Sequence, residues 1–391
     1  MKIKIKTLTP IHIGTGRELQ PQFDYLPFAK SVAVLDEQKV LEIFAGGSQA
    51  NVEDINRWVN MIDQREPLLP YLKTRRPGLV AADLGREIAL ADTEGFGNIK
   101  AIREQLHDLD GFTGKEGTFH AEIKAIREQL HDLDGSGILP GSSLKGAIRT
   151  ALLTHFIDRE DGRAVKSNFN LRDRRNNFTA TNLEKKFFGE KPTEDLLRLL
   201  RVGDAVFSKT EILKTEVLNL KRDDWQRETR LETWVEAIPA GQVAESRLQI
   251  STEPRHQKYL GNRDRTAVDA LQPERLFKII TDHTRRLVEG ELKFWKEEEG
   301  NPGELGDYCA AMQDIMETIS GCDARSCVLR CGWASGWKSM TGGWQRHLTD
   351  EVYYDLVLAM RPRHPSNLTF PKTTRFQQSG KPMGFLKLTI I

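Results

Sequence analysis

The sequence predicts an α+β protein with antiparallel sheets. Alternating polar and apolar residues at the start (Lys2-Ile3-Lys4-Ile5-Lys6) and a last apolar stretch from Met383 to Ile390 read as terminal strands. Apolar residues at helical spacing over 143–157, 273–298 and 306–320 read as helices. Strands dispersed among helices at both ends of the chain define the class.

The chain has 391 residues, long for one core, so two domains are expected, 1–252 and 253–391. Hydrophobic residues make up 39% and charged residues 29%, a globular balance. The formal net charge of +1 gives no global basic excess, so any nucleic-acid contact must come from local patches. No apolar run approaches the ~18 residues of a membrane span, and the alternating N-terminus lacks a signal-peptide core. A cytoplasmic location and no membrane partner are the expectation. Cys309, Cys322, Cys327 and Cys331 fall in one region with C-x12-C-x4-C-x3-C spacing. That lacks a C-x2-C knuckle, so reduced, partly buried thiols are expected, with no metal and no cofactor.

Strand 2–8 leads into Thr9-Pro10-Ile11-His12-Ile13-Gly14-Thr15-Gly16. Gly14, Thr15 and Gly16 read as a flexible loop able to lay amides against a phosphate or ribose. Tyr25 to Asp36 reads as a hairpin, and 38–72 as helical, interrupted at Pro67 and Pro70. The stretch from Lys73 to Gly97 has no clear period. Residues 99–111 (IKAIREQLHDLDG) then recur letter for letter as 123–135. The flanks differ, so this is a local duplication rather than an array. At least one copy reads as a surface insertion. The paired His-Asp-Leu-Asp segments follow from the duplication and require no metal.

Leu139-Pro140-Gly141-Ser142-Ser143-Leu144-Lys145-Gly146-Ala147-Ile148-Arg149-Thr150-Ala151-Leu152 is the central stretch. Pro140-Gly141 turns the chain, and Ser142 or Ser143 reads as a helix N-cap. Leu144, Ala147, Ile148, Ala151 and Leu152 face a core, with Lys145 and Arg149 together on a polar face. Gly146 costs the helix roughly 1 kcal/mol against Ala and leaves room for another backbone. Free amides, two hydroxyls, a Lys and an Arg suit a phosphate.

A basic, Asn-rich segment follows at 163–177, then a short helix at 183–188 and an expected strand within 196–207. Thr233 to Ile250 reads as strand, Pro239-Ala240-Gly241 turn, strand, and 254–261 as a linker. Near the C-terminus, Val328 to Arg330 is a strand running into a glycine-rich loop from Gly332 to Gly343. Arg330 and Lys338 bracket Trp333 and Trp337, which either stack on bases or plug the core. Phe370 to Arg375 reads as a basic hairpin arm carrying Lys372 and Arg375.

Thr7 to Gly16 and Ile138 to Leu152 resemble the RAMP superfamily of CRISPR proteins. Leu200-Arg201-Val202-Gly203-Asp204, Gly332 to Thr341 and Phe370-Pro371-Lys372-Thr373 resemble one branch, the crRNA 3′-end capping subunits (fifth Csm subunits) of type III-A complexes. The resemblance implies two ferredoxin-like (RRM-like) RAMP modules with helical insertions. It implies a structural subunit in antiviral defence that binds crRNA and target single-stranded RNA. It also implies a place beside the repeated backbone subunit and other Csm subunits, a part in crRNA maturation, and no catalytic residue of its own. The candidate RNA contacts are Gly14, Thr15, Gly16, Ser142, Ser143, Lys145, Arg149, Arg330, Lys338, Lys372 and Arg375. The alternative is a metal-independent endoribonuclease for CRISPR precursor RNA, using His12, His107 or His131 as general acid–base.

Overall fold

The computed structural model describes residues 1–47, 50–64, 66–91, 125–168, 180–221, 224–228, 231–251, 265–297, 305–336, 339, 344–347 and 373–391. The N-terminal elements are β1 (Lys2–Thr7), β2 (Gly14–Leu19), β3 (Tyr25–Pro27), β4 (Ser31–Leu35), α1 (Glu37–Phe44), α2 (Val52–Asp63), α3 (Leu68–Arg75) and β5 (Gly85–Leu90). After the duplicated stretch come β6 (Ile126–Gln129), β7 (Gly137–Leu139), α4 (Gly141–Arg159), α5 (Arg163–Asn168) and α6 (Thr181–Phe188). Six strands follow: β8 (Leu200–Val202), β9 (Ala205–Phe207), β10 (Glu211–Lys221), β11 (Asp224–Arg227), β12 (Thr233–Ala237) and β13 (Val243–Ile250). The chain ends with α7 (Arg265–Asp269), α8 (Pro273–Glu297), α9 (Gly306–Ser320), β14 (Ser326–Arg330), β15 (Thr373–Gln377) and β16 (Phe385–Ile390).

This is a mixed α+β fold with two main sheets. A five-stranded sheet runs β14-β16-β1-β13-β8. A nine-stranded sheet runs β2-β6-β12-β10-β5-β4-β3, with β11 and β15 also paired to β10. β7 and β9 form a small third ladder. The alternation of β1 is real: Ile3, Ile5 and Thr7 are buried, and Lys2, Lys4 and Lys6, which alternate with them, are exposed. α4 and α8 cover the five-stranded sheet, joining Ile3, Ile5, Leu144, Ile148, Leu276 and Leu388 in one core. Burial of such side chains, each contributing about 1.5–3 kcal/mol, anchors both helices on that sheet.

Both main sheets draw strands from either side of residue 252, so the division 1–252 and 253–391 cuts across them. β1 pairs with β16, and β15 pairs with β10. The turn at Pro239–Gly241 does not close a hairpin within one sheet. It carries the chain from β12 in the nine-stranded sheet to β13 in the five-stranded one. The β1–β2 connection makes the opposite crossing, and the two meet where Ile11 and Ile238 exchange backbone hydrogen bonds of 3.0 and 2.8 Å. This seam positions the site. Within 196–207, the chain forms a 3-10 turn and then two short strands, not one strand. Phe370 to Arg375 is not a free arm where it is described, because Thr373–Gln377 is a strand on β10.

Candidate nucleic-acid interface

At the seam, the His12 ring is buried and its Nδ1 lies 2.6 Å from the Glu236 carbonyl oxygen. A carbonyl only accepts, so Nδ1 carries the proton and Nε2 keeps the lone pair. Burial pushes His12 below its ordinary pKa, although the Glu236 carbonyl favours the protonated ring. The Glu236 carboxylate is itself fully buried. It accepts from Arg86, from His131 Nε2 at 2.7 Å and from Thr210 Oγ1 at 2.7 Å. Burial alone would raise the Glu236 pKa; the hydrogen bonds from His131 and Arg86 hold it below the usual value.

Gly14-Thr15-Gly16 opens an edge strand rather than a free loop. Gly14 faces Gln129 and Glu18 faces Arg127, so four steps on β2 span two on β6 and the intervening residues bulge outward. Gly16 sits at φ +88°, which only glycine adopts without strain, and Thr15 Oγ1 accepts the Arg17 amide at 3.0 Å. The buried Gln129 side chain accepts Ile13 N–H at 2.9 Å and donates to the Ile138 carbonyl at 2.9 Å. It therefore ties the glycine segment to β7, the strand that delivers α4.

Beside the bulge stands Trp333. Its amide donates to the His12 carbonyl at 3.0 Å, and its ring meets His12 edge to face at 5.7 Å. Arg127 and Arg375 both lie over this ring, 5.2 and 4.6 Å from its centroid. Arg375 Nη1 donates to Thr215 Oγ1, the Leu231 carbonyl and Thr233 Oγ1 at 3.0–3.2 Å. No carboxylate pairs with Arg375 among the described residues. Its pKa is lowered to about 10, first by burial and then by Arg127. It remains a cation at neutral pH, half-buried and without a counter-charge among the described residues.

Ser142, Ser143 and Lys145 lie in the first turns of α4, but neither serine is the N-cap. The helix begins at Gly141, and its cap comes from a distant turn: Asp204 Oδ1 accepts the Gly141 amide at 2.7 Å. Gly141 is packed so closely that a Cβ there would lie 2.0 Å from the Val202 carbonyl. Lys145 is half-buried, and burial lowers its pKa. A Cβ at Gly146 would meet nothing within 4 Å, so the face beside Lys145 is open. Arg149 is held inside the protein by Glu184 at 3.0 Å and Asp195 at 2.8 Å, over the Phe188 ring.

Arg330 is a buried structural cation. It donates to Glu291 at 3.0 Å and to the Met383 carbonyl at 3.1 Å, over the Phe385 ring. Lys338, Lys372, Trp337, His107 and the first repeat copy lie outside the described residues. The structure thus brings together Gly14, Thr15, Gly16, Trp333 and Arg375, and places Ser142, Ser143 and Lys145 at the start of α4. Sequence reasoning missed Arg127, the Arg86–His131–Glu236 cluster and the Asp204 cap. Arg127 and His131 are in the second repeat copy, which supplies β6 and is integral to the sheet.

Residues 4–323 match the RAMP superfamily, and the chain belongs to that superfamily. It is related to the Methanocaldococcus jannaschii protein described as CRISPR system Cms protein Csm5, with 22% identity over 313 residues. That match covers 75% of this chain and 63% of the relative, so the chain spans less than two thirds of the relative's length. The fold resembles a chain of the Csm–crRNA–target RNA ternary complex of a type III-A CRISPR-Cas system, with TM-score 0.66, 20% identity and coverage of 99% and 100%. It also resembles T. onnurineus Csm5, with TM-score 0.61, 19% identity and coverage of 98% and 99%.

Proposed function

We propose that this chain is a structural RNA-binding subunit of a type III-A CRISPR effector complex, holding crRNA and its target at the crRNA 3′ end. In this reading each main sheet with its helices is a ferredoxin-like module, and the seam between them grips the RNA. The observation that carries it is Arg375, a half-buried cation with no carboxylate partner among the described residues, stacked with Arg127 on one tryptophan. Cation and aromatic side by side fit a strand held by phosphate and base face rather than by sequence. The bulged glycine segment and the open face at Lys145 supply further backbone contacts. A neighbouring backbone subunit and a role in crRNA maturation are part of this proposal.

The chain acts without a catalytic centre of its own. The buried His12 is engaged through Nδ1, and His131 Nε2 donates to Glu236. The test is to purify the tagged chain from a host carrying its CRISPR operon and sequence the co-purifying RNA. Short RNAs sharing a repeat-derived 5′ tag support the proposal, and its deletion should change their 3′ ends or abundance. Random cellular RNA, or none, sinks it. Metal-free cleavage of repeat RNA by the isolated chain, lost in His12→Ala, would establish the nuclease instead.

A further inference from the structure

A cavity of about 270 Å³ opens where α8, α9, β14 and β15 converge. That is close to the lower end of the roughly 300–1,000 Å³ range of small-ligand sites. Phe294 and Trp295 give it an aromatic wall, their rings meeting edge to face at 4.9 Å. Glu291 gives it an acid. One Glu291 oxygen accepts Arg330 Nη1 at 3.0 Å, and the other accepts the Tyr308 hydroxyl. Arg330 and Tyr308 are both buried, so the carboxylate is fixed in orientation. Each of its oxygens still has a second lone pair for an incoming donor. Arg375 also lines the cavity, and its Nε and Nη2 have no hydrogen-bond partner among the described residues.

An ion pair buried only for stability explains Arg330 and Glu291. It does not explain a cavity beside them with an aromatic wall and a cation that has no carboxylate partner among the described residues. We propose that this cavity receives one unstacked base of the bound RNA. The base lies against Phe294 and donates an exocyclic amino group to Glu291, while its flanking phosphate meets Arg375. This rests on the RNA-binding reading and adds a base preference to it. An acceptor-only carboxylate favours cytosine, whose N4 amino group donates, over uracil, whose O4 accepts in the same place. Single-stranded RNA offers such splayed bases, and aromatic side chains stack on them.

The test uses the full chain with short oligocytidine and oligouridine of equal length. One amino–carboxylate contact predicts roughly five- to tenfold tighter binding of oligocytidine. Glu291→Gln should bring oligocytidine to the oligouridine level, and Phe294→Ala should weaken both, each with the salt slope unchanged. Arg375→Ala should weaken both oligonucleotides alike. Photocrosslinking of 5-iodocytidine RNA to the wild-type protein should label the peptide holding Phe294 and Trp295, a readout that does not depend on either variant folding. Equal affinity for the two oligonucleotides, with crosslinks elsewhere, overturns the base cavity and leaves RNA binding intact. No binding of either overturns both.

Discussion

Arg375 lies 4.6 Å from the centroid of the Trp333 ring, on a strand more than 40 residues further along the chain. Trp333 follows β14 of the five-stranded sheet and Arg375 lies on β15 of the nine-stranded sheet, so their stacking joins the two sheets. Because Arg375 has no carboxylate to satisfy among the described residues, removing it costs RNA binding more than it costs the fold. Arg375→Ala is expected to weaken RNA binding uniformly across sequences and to reduce the salt slope by about 1. Titrations at several salt concentrations check this. A slope unchanged from wild type would mean that the cation serves Trp333 and not a phosphate.

The Glu236 cluster predicts a pH dependence of stability. The folded pKa of Glu236 is held below its unfolded value of 4.5 by His131 and Arg86, against the opposing effect of burial. A lowered carboxyl pKa contributes stability that is fully present above the unfolded value and lost as pH falls through the folded one. Glu236→Gln should therefore cost about 1.5–3 kcal/mol at pH 7, the worth of hydrogen bonds to a charged group. The gap between wild type and variant should narrow below pH 4.5. Denaturant unfolding at pH 7 and at acid pH measures both, and a gap that stays constant would contradict the argument.

Two glycines six residues or fewer from the start of α4 should behave oppositely. At Gly141 an added Cβ would lie 2.0 Å from the Val202 carbonyl, so Gly141→Ala forces the β8–β9 turn away and loses the Asp204 cap. Overpacking of this kind costs about 1–3 kcal/mol, and loss of the cap about 1 more. At Gly146 the Cβ enters open space, and Ala should stabilise the free protein by about 1 kcal/mol. If the RNA backbone passes over this face beside Lys145, Gly146→Ala should bind RNA more weakly while melting higher. A variant that melts higher and binds as well as wild type would remove this face from the interface.

The elements legible in the sequence were those with one buried face. β1, α8 and α9 show a clean period because one side meets the core and the other is exposed or partly so. β10 was not legible. Ile212, Leu213, Thr215, Glu216, Val217 and Leu218 are all buried, so this central strand has no alternation to read. The glycine run at 14–16 announced an unusual backbone, yet nothing local says that it would bulge from an edge strand. Arg149 and Arg330 looked like free cations because their carboxylates, Glu184, Asp195 and Glu291, are distant in sequence. Asp204 caps α4 from 63 residues away, a pairing that local signals at Ser142 and Ser143 conceal.

The duplicated segment gives the last prediction. Residues 123–135 supply β6, whose Ile126 is in the core and whose Gln129 links the glycine segment to β7. Arg127 reaches Trp333, and His131 reaches Glu236. Residues 99–111 repeat those letters, but the sheet offers one place between β2 and β12. Deleting 99–122 leaves a single complete copy, joined to β5 by a connection of ordinary length. Every described contact of β6 is preserved in that variant, so its stability should stay within about 0.5 kcal/mol of wild type. Its RNA affinity should be unchanged. Gln129→Ala should instead destabilise by about 1–3 kcal/mol, because the Ile13 amide and the Ile138 carbonyl lose their partner. Thermal and denaturant unfolding of the two variants decides the matter. Full tolerance of Gln129→Ala in the intact chain, with loss of stability once 99–122 is also deleted, would mean that the first copy can take the place of the second in the sheet.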